Sequence, residues 1–258
     1  MITLLSDWKL RDPYIGIFKG ELLKWAPGEQ IVDITHNLEL FNLSQTAFIA
    51  KHCYSFFPEK SLHIILSGLS FSSEVRPVLF FHNEHFFLGE DNGVFSMIFG
   101  AEGKVKSYQY EGDMSLSIME KLALMASWVF QNTYKKNTKP YSALKFQISY
   151  LSEPDYNTER ETISGKVVYI DSCCNAVTNI PVSLFESMRK KSFKAVVSTV
   201  RPIQITRCHS FYNPKEQEIF FVYNRLGFIE ITLFNGNIAA IADIQVGDHV
   251  EIDFKSEA

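Results

Sequence analysis

A short apolar run, Ile2-Thr3-Leu4-Leu5, stops at Ser6-Asp7, and after Pro13 the apolar residues Ile15, Phe18, Leu22, Leu23 and Ala26 return at helical spacing. Strand, loop and helix therefore follow one another at the very start of the chain. Ile31 to Ile34 then reads as a second strand, Leu43 to Phe57 as a second helix and Leu62 to Leu66 as a third strand. Strands separated by helices must be joined by crossovers, so the pattern predicts a mostly parallel sheet with flanking helices. Val78 to Phe81 and His85 to Leu88, divided by His82-Asn83-Glu84, read as a hairpin, and Met114 to Gln131 as a further helix. This α/β domain is expected to fill residues 1–150.

Residues 151–162 carry the polar, non-periodic string SEPDYNTERET and read as a linker. Beyond it, residues 163–258 form a second domain. Val167 to Ile170, Ala195 to Val200, Ile219 to Val222, Phe228 to Leu233 and His249 to Phe254 are β-rich, with one short helix expected near Ser183 to Arg189. Several strands divided by turns predict a small barrel or sandwich.

Composition narrows the possible ligands. At 258 residues and 46% hydrophobic, the chain has material for two cores, while its net charge of -4 offers no basic field for a phosphate backbone. Nucleic acid is therefore not an expected partner. No apolar run is long enough to span a bilayer and no secretory leader is evident, so neither membrane association nor export is expected and the location is read as cytoplasmic. Cys53, Cys173, Cys174 and Cys208 are too scattered for a disulfide framework. With no CxxC pair and no HxxxH pair, no protein-bound metal is expected. The 22 phenylalanines are read first as core.

Two strings carry candidate chemistry. Asp7 stands just past the carboxyl end of the first strand, where open α/β sheets bind ligands, and its carboxylate suits a ribose diol. Asp12, directly before Pro13, is the expected cap of the first helix. Further on, Ile170 to Ile180 supplies Asp171, able to pair with an ammonium, and Asn175, able to read an adenine edge; both are also ordinary turn residues. Neither GxGxxG nor GxxxxGK[ST] is present, which removes the dinucleotide fold and the P-loop.

Read together and in order, Ile2-Thr3-Leu4-Leu5-Ser6-Asp7, Asp12-x-Tyr14-Ile15-Gly16-x-x-Lys19-Gly20, Ile31-Val32-Asp33-Ile34-Thr35-His36, Glu90-Asp91-Asn92-Gly93, Ile170-Asp171, Asn175 and Thr178-Asn179-Ile180 resemble the S-adenosylmethionine (SAM) hydroxide adenosyltransferases and their relatives, the fluorinases and chlorinases. The resemblance implies an N-terminal α/β domain, a C-terminal β-barrel, a homotrimer and a ligand site between domains of neighbouring subunits. It also implies a small-molecule adenosyl ligand, with SAM as substrate or ligand and no further cofactor. By position, Asp7 would take the ribose hydroxyls, Phe41 would cover the ribose or adenine, Asp171 would meet the methionine ammonium and Asn175 would read adenine. Asn224 or Arg225 would take the methionine carboxylate.

The water-activating groups of the family are where the chain departs. The family's DPGVGxxR-like turn aligns with Gly68 to Val75, so Gly68 replaces the acid and Val75 the arginine, with Arg76 next in line. The family's FHGRDxFAP-like segment aligns with Leu116 to Leu124, placing Ser117 where the histidine stands. Fluorinases lack that triad too, but the positions of their halide pocket hold Gly68, Phe71 and Ile118 here. Cys173-Cys174 replaces the family's Phe-Gly. Catalytic residues are therefore left unassigned. Two functions stay open: a slow SAM hydrolase forming adenosine and methionine, and a non-catalytic adenosyl-ligand binding protein or sensor.

Overall fold

The computed structural model describes residues 1–100, 105–142, 153–189, 192–212 and 218–254. The chain divides into two compact units, residues 1–150 and 151–258.

In the first unit the strands are β1 (Ile2–Ser6), β2 (Ile31–Thr35), β3 (Leu62–Leu66), β4 (Val78–His82), β5 (His85–Gly89), β6 (Lys106–Tyr110) and β7 (Thr138–Pro140). They form one seven-stranded sheet in the order β2-β1-β3-β5-β4-β6-β7. Pairing is parallel from β2 through β5 and antiparallel from there to β7. The sheet is mixed, and the mostly parallel expectation holds only for one half. The reversal begins at the β4–β5 hairpin, where Asn83 and Glu84 take φ of 46° and 61°. Two left-handed residues in a row make a turn too tight for a crossover.

The helices of this unit are α1 (Tyr14–Trp25), α2 (Leu43–Cys53), α3 (Val94–Phe99), α4 (Ile118–Phe130) and α5 (Tyr134–Asn137). Phe18 and Leu22 of α1 pack with Leu122, Met125 and Ala126 of α4 over Ile2, Leu4, Ile64 and Leu66 of the sheet. Fully burying one side chain such as Phe18 contributes about 1.5–3 kcal/mol. Strand alternation turns Leu5 and Ile65 to the opposite face, and α2 packs with β1 and with α3. Helix α2 ends before the expected Phe57, in a 3-10 turn over Tyr54–Phe56.

Two helix starts differ from expectation. Helix α4 begins at Ile118 because Ser117 caps it, its side chain accepting from the Glu120 amide while Glu120 reaches back to Ser117. Helix α1 is capped by Pro13 with no side-chain hydrogen bond, so Asp12 does not cap it and stays exposed.

The second unit holds β8 (Asp155–Asn157), β9 (Thr162–Ile170), β10 (Ala176–Pro181), helix α6 (Val182–Met188), β11 (Lys194–Val197), β12 (Ile203–Ile205), β13 (Cys208–His209), β14 (Phe220–Tyr223), β15 (Phe228–Thr232), helix α7 (Ile238–Ile241) and β16 (His249–Asp253). Its nine strands run β12-β11-β16-β9-β10-β15-β14-β13, with β8 pairing β9. Among the described residues β12 and β13 are left as ends, so the sheet is curled without the closed hydrogen bonding of a full barrel. Part of the stretch read as linker is thus the strand β8, while residues 151 and 152 lie outside the described residues. The sheet crowds at Gly165, where a Cβ would stand 2.5 Å from Ile180 Cγ1 and 2.7 Å from Asn179 Oδ1. Only glycine permits that approach. Phe185, Phe193, Phe221 and Phe254 fill the core beneath, so these phenylalanines take the core role expected of them.

Candidate functional site

Ligand-facing chemistry in the first unit begins where β1 ends. Asp7 is only 3% exposed, yet it lines a cavity of about 470 Å³ together with Trp8, Tyr14, Leu40 and Phe71. Its Oδ2 accepts hydrogen bonds from the backbone amides of Phe41 (3.0 Å) and Gly68 (3.1 Å) and from Ser67 Oγ (3.4 Å). Oδ1 accepts none among the described residues. A carboxylate pinned through one oxygen and open through the other is an acceptor of fixed direction. Trp8 meets Tyr14 at 6.5 Å and Phe71 at 5.9 Å between ring centroids, giving the cavity an aromatic wall.

The motif around Asp7 holds this loop in place. Ser6 Oγ and His36 Nδ1 lie 2.7 Å apart, His36 Nε2 is 3.1 Å from Asp33 Oδ1, and Lys19 Nζ donates to Asp33 Oδ2 at 2.6 Å. Burial pushes the Asp33 carboxyl up, but the hydrogen bonds of Lys19 and His36 outweigh it and leave the pKa below the usual value. Lys9 Nζ also donates to the Leu38 carbonyl. Phe41 contributes its amide; its ring is 67% exposed and does not line the cavity, where Leu40 stands instead. The residue takes φ of 58°, which turns its N–H toward Asp7.

Gly68, Val75 and Ser117 all serve the fold. Gly68 has φ of 63° and donates to Asp7. Val75 packs against the first core and its carbonyl accepts from Lys121 Nζ at 3.2 Å. Ser117 caps α4. Arg76 donates to the Tyr110 carbonyl at 3.2 Å. The serine-rich turn is held by its own bonds, Ser70 Oγ accepting from the Ser72 amide and Ser72 Oγ from the Glu74 amide. Lys121, fully buried on α4, staples it by also donating to the Ser73 carbonyl at 2.6 Å. Burial, with the nearby Arg76 charge, pulls the Lys121 pKa down.

In the second unit Asp171 and Asn175 are brought together. Asp171 Oδ1 accepts from the amides of Cys173 and Asn175, each at 2.8 Å, and Oδ2 accepts from Asn175 Nδ2 at 3.2 Å. Asn175 Nδ2 also donates to Tyr212 Oη at 3.0 Å, and its Oδ1 accepts from Thr232 Oγ1 at 2.7 Å. Both side chains thus help to build this loop, as their residue types suggested, while Asp171 Oδ2 and Asn175 Oδ1 each accept a single bond and keep a lone pair. Cys174 takes φ of 63°, a conformation better suited to glycine. Cys173, Asn175, Tyr212 and Thr232 line a cavity of about 450 Å³. Asn224 turns its Oδ1 inward, accepting from the amides of Leu226 and Phe228, each at 3.0 Å, whereas Arg225 is exposed.

Glu230 and Tyr212 complete this second cluster and were not expected. The Tyr212 hydroxyl donates to Glu230 Oε1. Burial, together with the Asp171 charge, pushes the Glu230 carboxyl up against the lowering effect of its Tyr212, Asn224 and Asn175 hydrogen bonds. The signal in the sequence was a charge inside the apolar run Phe228-Ile229-Glu230-Ile231, just as Lys121 interrupts an apolar helix.

Among the described residues, no three His, Cys, Asp or Glu side chains are grouped to hold a metal, and no helix is long and apolar enough to cross a membrane.

The family model for the SAM hydroxide adenosyltransferase N-terminal domain matches residues 2–130, and that for its C-terminal domain matches residues 165–251. The chain belongs to the SAM hydroxide adenosyltransferase family. It is 23% identical to the (R)-S-adenosyl-L-methionine hydrolase of Methanocaldococcus jannaschii over 98% of this chain and 95% of that protein. The hydrolase of the same name from Thermus thermophilus is 28% identical over 37% of each chain. Among solved structures, an uncharacterized conserved protein from Thermotoga maritima superposes with a TM-score of 0.87 at 20% identity, covering 98% of this chain and 100% of its own. A conserved hypothetical protein from Thermus thermophilus gives 0.70 at 19% identity, covering 97% and 98%. These two likenesses concern the fold.

Proposed function

We propose that this SAM hydroxide adenosyltransferase family member binds SAM and hydrolyses it slowly to adenosine and methionine, by in-line attack of water at the 5′ carbon. The observation that carries the reading is Asp7, with Oδ2 fixed by two backbone amides and Oδ1 left for a ligand on a cavity with an aromatic wall. Asp7 takes the ribose hydroxyls. Asn175 and Asp171 serve the adenine and the methionine ammonium. Of the pair Asn224 and Arg225, the exposed arginine takes the methionine carboxylate, because Asn224 is committed to its own turn. Phe41 acts through its backbone amide. The working unit is a homotrimer in the cytoplasm.

A sulfonium is a good leaving group, and orienting water against the 5′ carbon supplies roughly 7–11 kcal/mol of the barrier. Losing a general base costs about 10²- to 10⁴-fold in rate, which leaves slow turnover. A second reading, ligand binding with no turnover, is favoured by Gly68 and Ser117, whose positions are taken up by structural roles.

Calorimetry with SAM, followed by chromatography of adenosine over hours, tests the proposal. Binding with slow adenosine release is the expected result; binding without any release selects the second reading, and absence of SAM binding overturns both. Light scattering should give the mass of three chains.

A further inference from the structure

A second cavity, of about 490 Å³, lies at the opposite end of the first sheet from Asp7. Asp7 follows the carboxyl end of β1, whereas Lys60 precedes β3, Phe86 is the second residue of β5 and Lys106 opens β6, all at the other end. Here Phe86, Tyr108 and Tyr134 form a half-buried aromatic floor, with Tyr134 meeting Phe86 at 5.7 Å and Tyr108 at 5.3 Å, both edge-on. Lys60, Lys106 and Lys135 stand exposed around it. None of the residues lining the cavity is acidic. None of the three ammonium groups is in an ion pair among the described residues; Lys135 rests over the Tyr134 ring at 5.8 Å.

Three unpaired cations beside an aromatic floor run against the composition of a chain whose net charge is -4. Placed together they raise each other's electrostatic energy, and a bound anion relieves that repulsion. The floor offers an apolar, π-rich surface for a planar ring, and the volume falls within the range of about 300–1,000 Å³ usual for small-ligand pockets.

We propose that this cavity is a separate binding site for a nucleoside phosphate, with the base on the Phe86, Tyr108 and Tyr134 floor and the phosphate held by Lys60, Lys106 and Lys135. The site is independent of the SAM reading and uses none of its residues. The lysines are exposed, so affinity falls as salt rises.

The test is calorimetry of the full chain with AMP, adenosine and inorganic pyrophosphate at low salt, on the wild type, on Lys60→Ala/Lys106→Ala/Lys135→Ala and on Asp7→Asn. AMP should bind at one site that survives Asp7→Asn and weakens at least about tenfold in the lysine variant, which is over 1.4 kcal/mol. Adenosine should bind this site more weakly than AMP, as should pyrophosphate. The proposal is overturned if AMP does not bind, if its binding is lost with Asp7→Asn and kept in the lysine variant, or if pyrophosphate binds as well as AMP. Exposed lysines tolerate alanine without loss of fold, and a melting curve on each variant verifies it.

Discussion

The Gly68 amide donates to Asp7 Oδ2 at 3.1 Å, so this glycine fixes the direction of the carboxylate that lines the cavity. Gly68 achieves this at φ of 63°, and a Cβ on it would stand 2.9 Å from Leu43 Cδ2. Gly68→Asp therefore places a side chain where the backbone conformation and Leu43 both oppose one. A left-handed non-glycine residue carries about 1–3 kcal/mol of strain, and its relief would pull the amide away from Asp7. The expected outcome is a lower urea midpoint and weaker SAM binding. A Gly68→Asp protein with wild-type affinity and raised turnover would overturn this account of the turn.

Asp7 serves the fold and lines the cavity at once. Alanine there leaves the Phe41 and Gly68 amides without their acceptor, and orphaned buried donors cost roughly 1–3 kcal/mol. Asp7→Ala should lose stability and affinity together, so it cannot separate the two roles. Asp7→Asn keeps one carbonyl oxygen for the amides and removes the charge. It should stay close to wild type in melting temperature while losing about 1.5–3 kcal/mol of SAM binding, read by calorimetry. Equal affinity would remove Asp7 from the ligand.

How much of this was legible beforehand varies along the chain. The exchange of strand and helix through β3 and the β4–β5 hairpin were readable because apolar period and turn residues agree there. Strand β6, KSYQY, gives no strand signal because it is exposed at Lys106, half-buried over the next three positions and buried only at Tyr110. Strand β10 was missed because its start follows the Asp171–Asn175 turn so closely that the whole string looked like loop. The capping box Ser117-x-x-Glu120 is legible as a spacing and marks the start of α4. Asp7 could be placed from its position after a strand. Glu230 and Tyr212 meet only through tertiary folding, which no local pattern encodes.

His63 makes the first unit sensitive to acid. Its Nδ1 lies 2.7 Å from Thr3 Oγ1 and its Nε2 3.0 Å from His85 Nδ1, in a buried chain across β1, β3 and β5. Burial, aided by His85, pulls its pKa down to about 3. The folded protein thus holds the ring neutral where the unfolded chain, near 6.5, takes up a proton. Stability from this group is full above pH 6.5 and falls as pH drops toward 3, by on the order of 1 kcal/mol per pH unit. Urea midpoints measured across that window should decline, and His63→Phe should flatten the slope. An unchanged slope would assign the acid sensitivity elsewhere.

Cys174 sits at φ of 63°, between Asp171 and Asn175, in a conformation that glycine adopts without strain. Its amide donates to the Asp171 carbonyl at 2.9 Å, so the turn is kept despite the side chain. Cys174→Gly should remove strain of about 1 kcal/mol and raise the urea midpoint of the second unit. Cys174→Val, β-branched and poorly tolerated at positive φ, should lower it. A fall with glycine would mean that the thiol contributes packing larger than the strain.

Ser117 offers the clearest separation of fold from chemistry. Its hydroxyl accepts from the Glu120 amide at 3.3 Å and donates to Glu120 Oε2 at 2.7 Å, while the Ser117 amide donates to the same carboxylate at 2.8 Å. These bonds hold the Glu120 carboxyl below its usual range. Ser117→Ala should therefore destabilise the protein by about 0.5–2 kcal/mol, the usual cost of losing such a cap, and should leave the rate of adenosine formation per folded molecule unchanged. Ser117→Asp, an equally good cap, should restore the melting temperature. If Ser117→Ala instead lowered the rate at unchanged stability, the hydroxyl would be handling the attacking water and the histidine position would have kept its catalytic place.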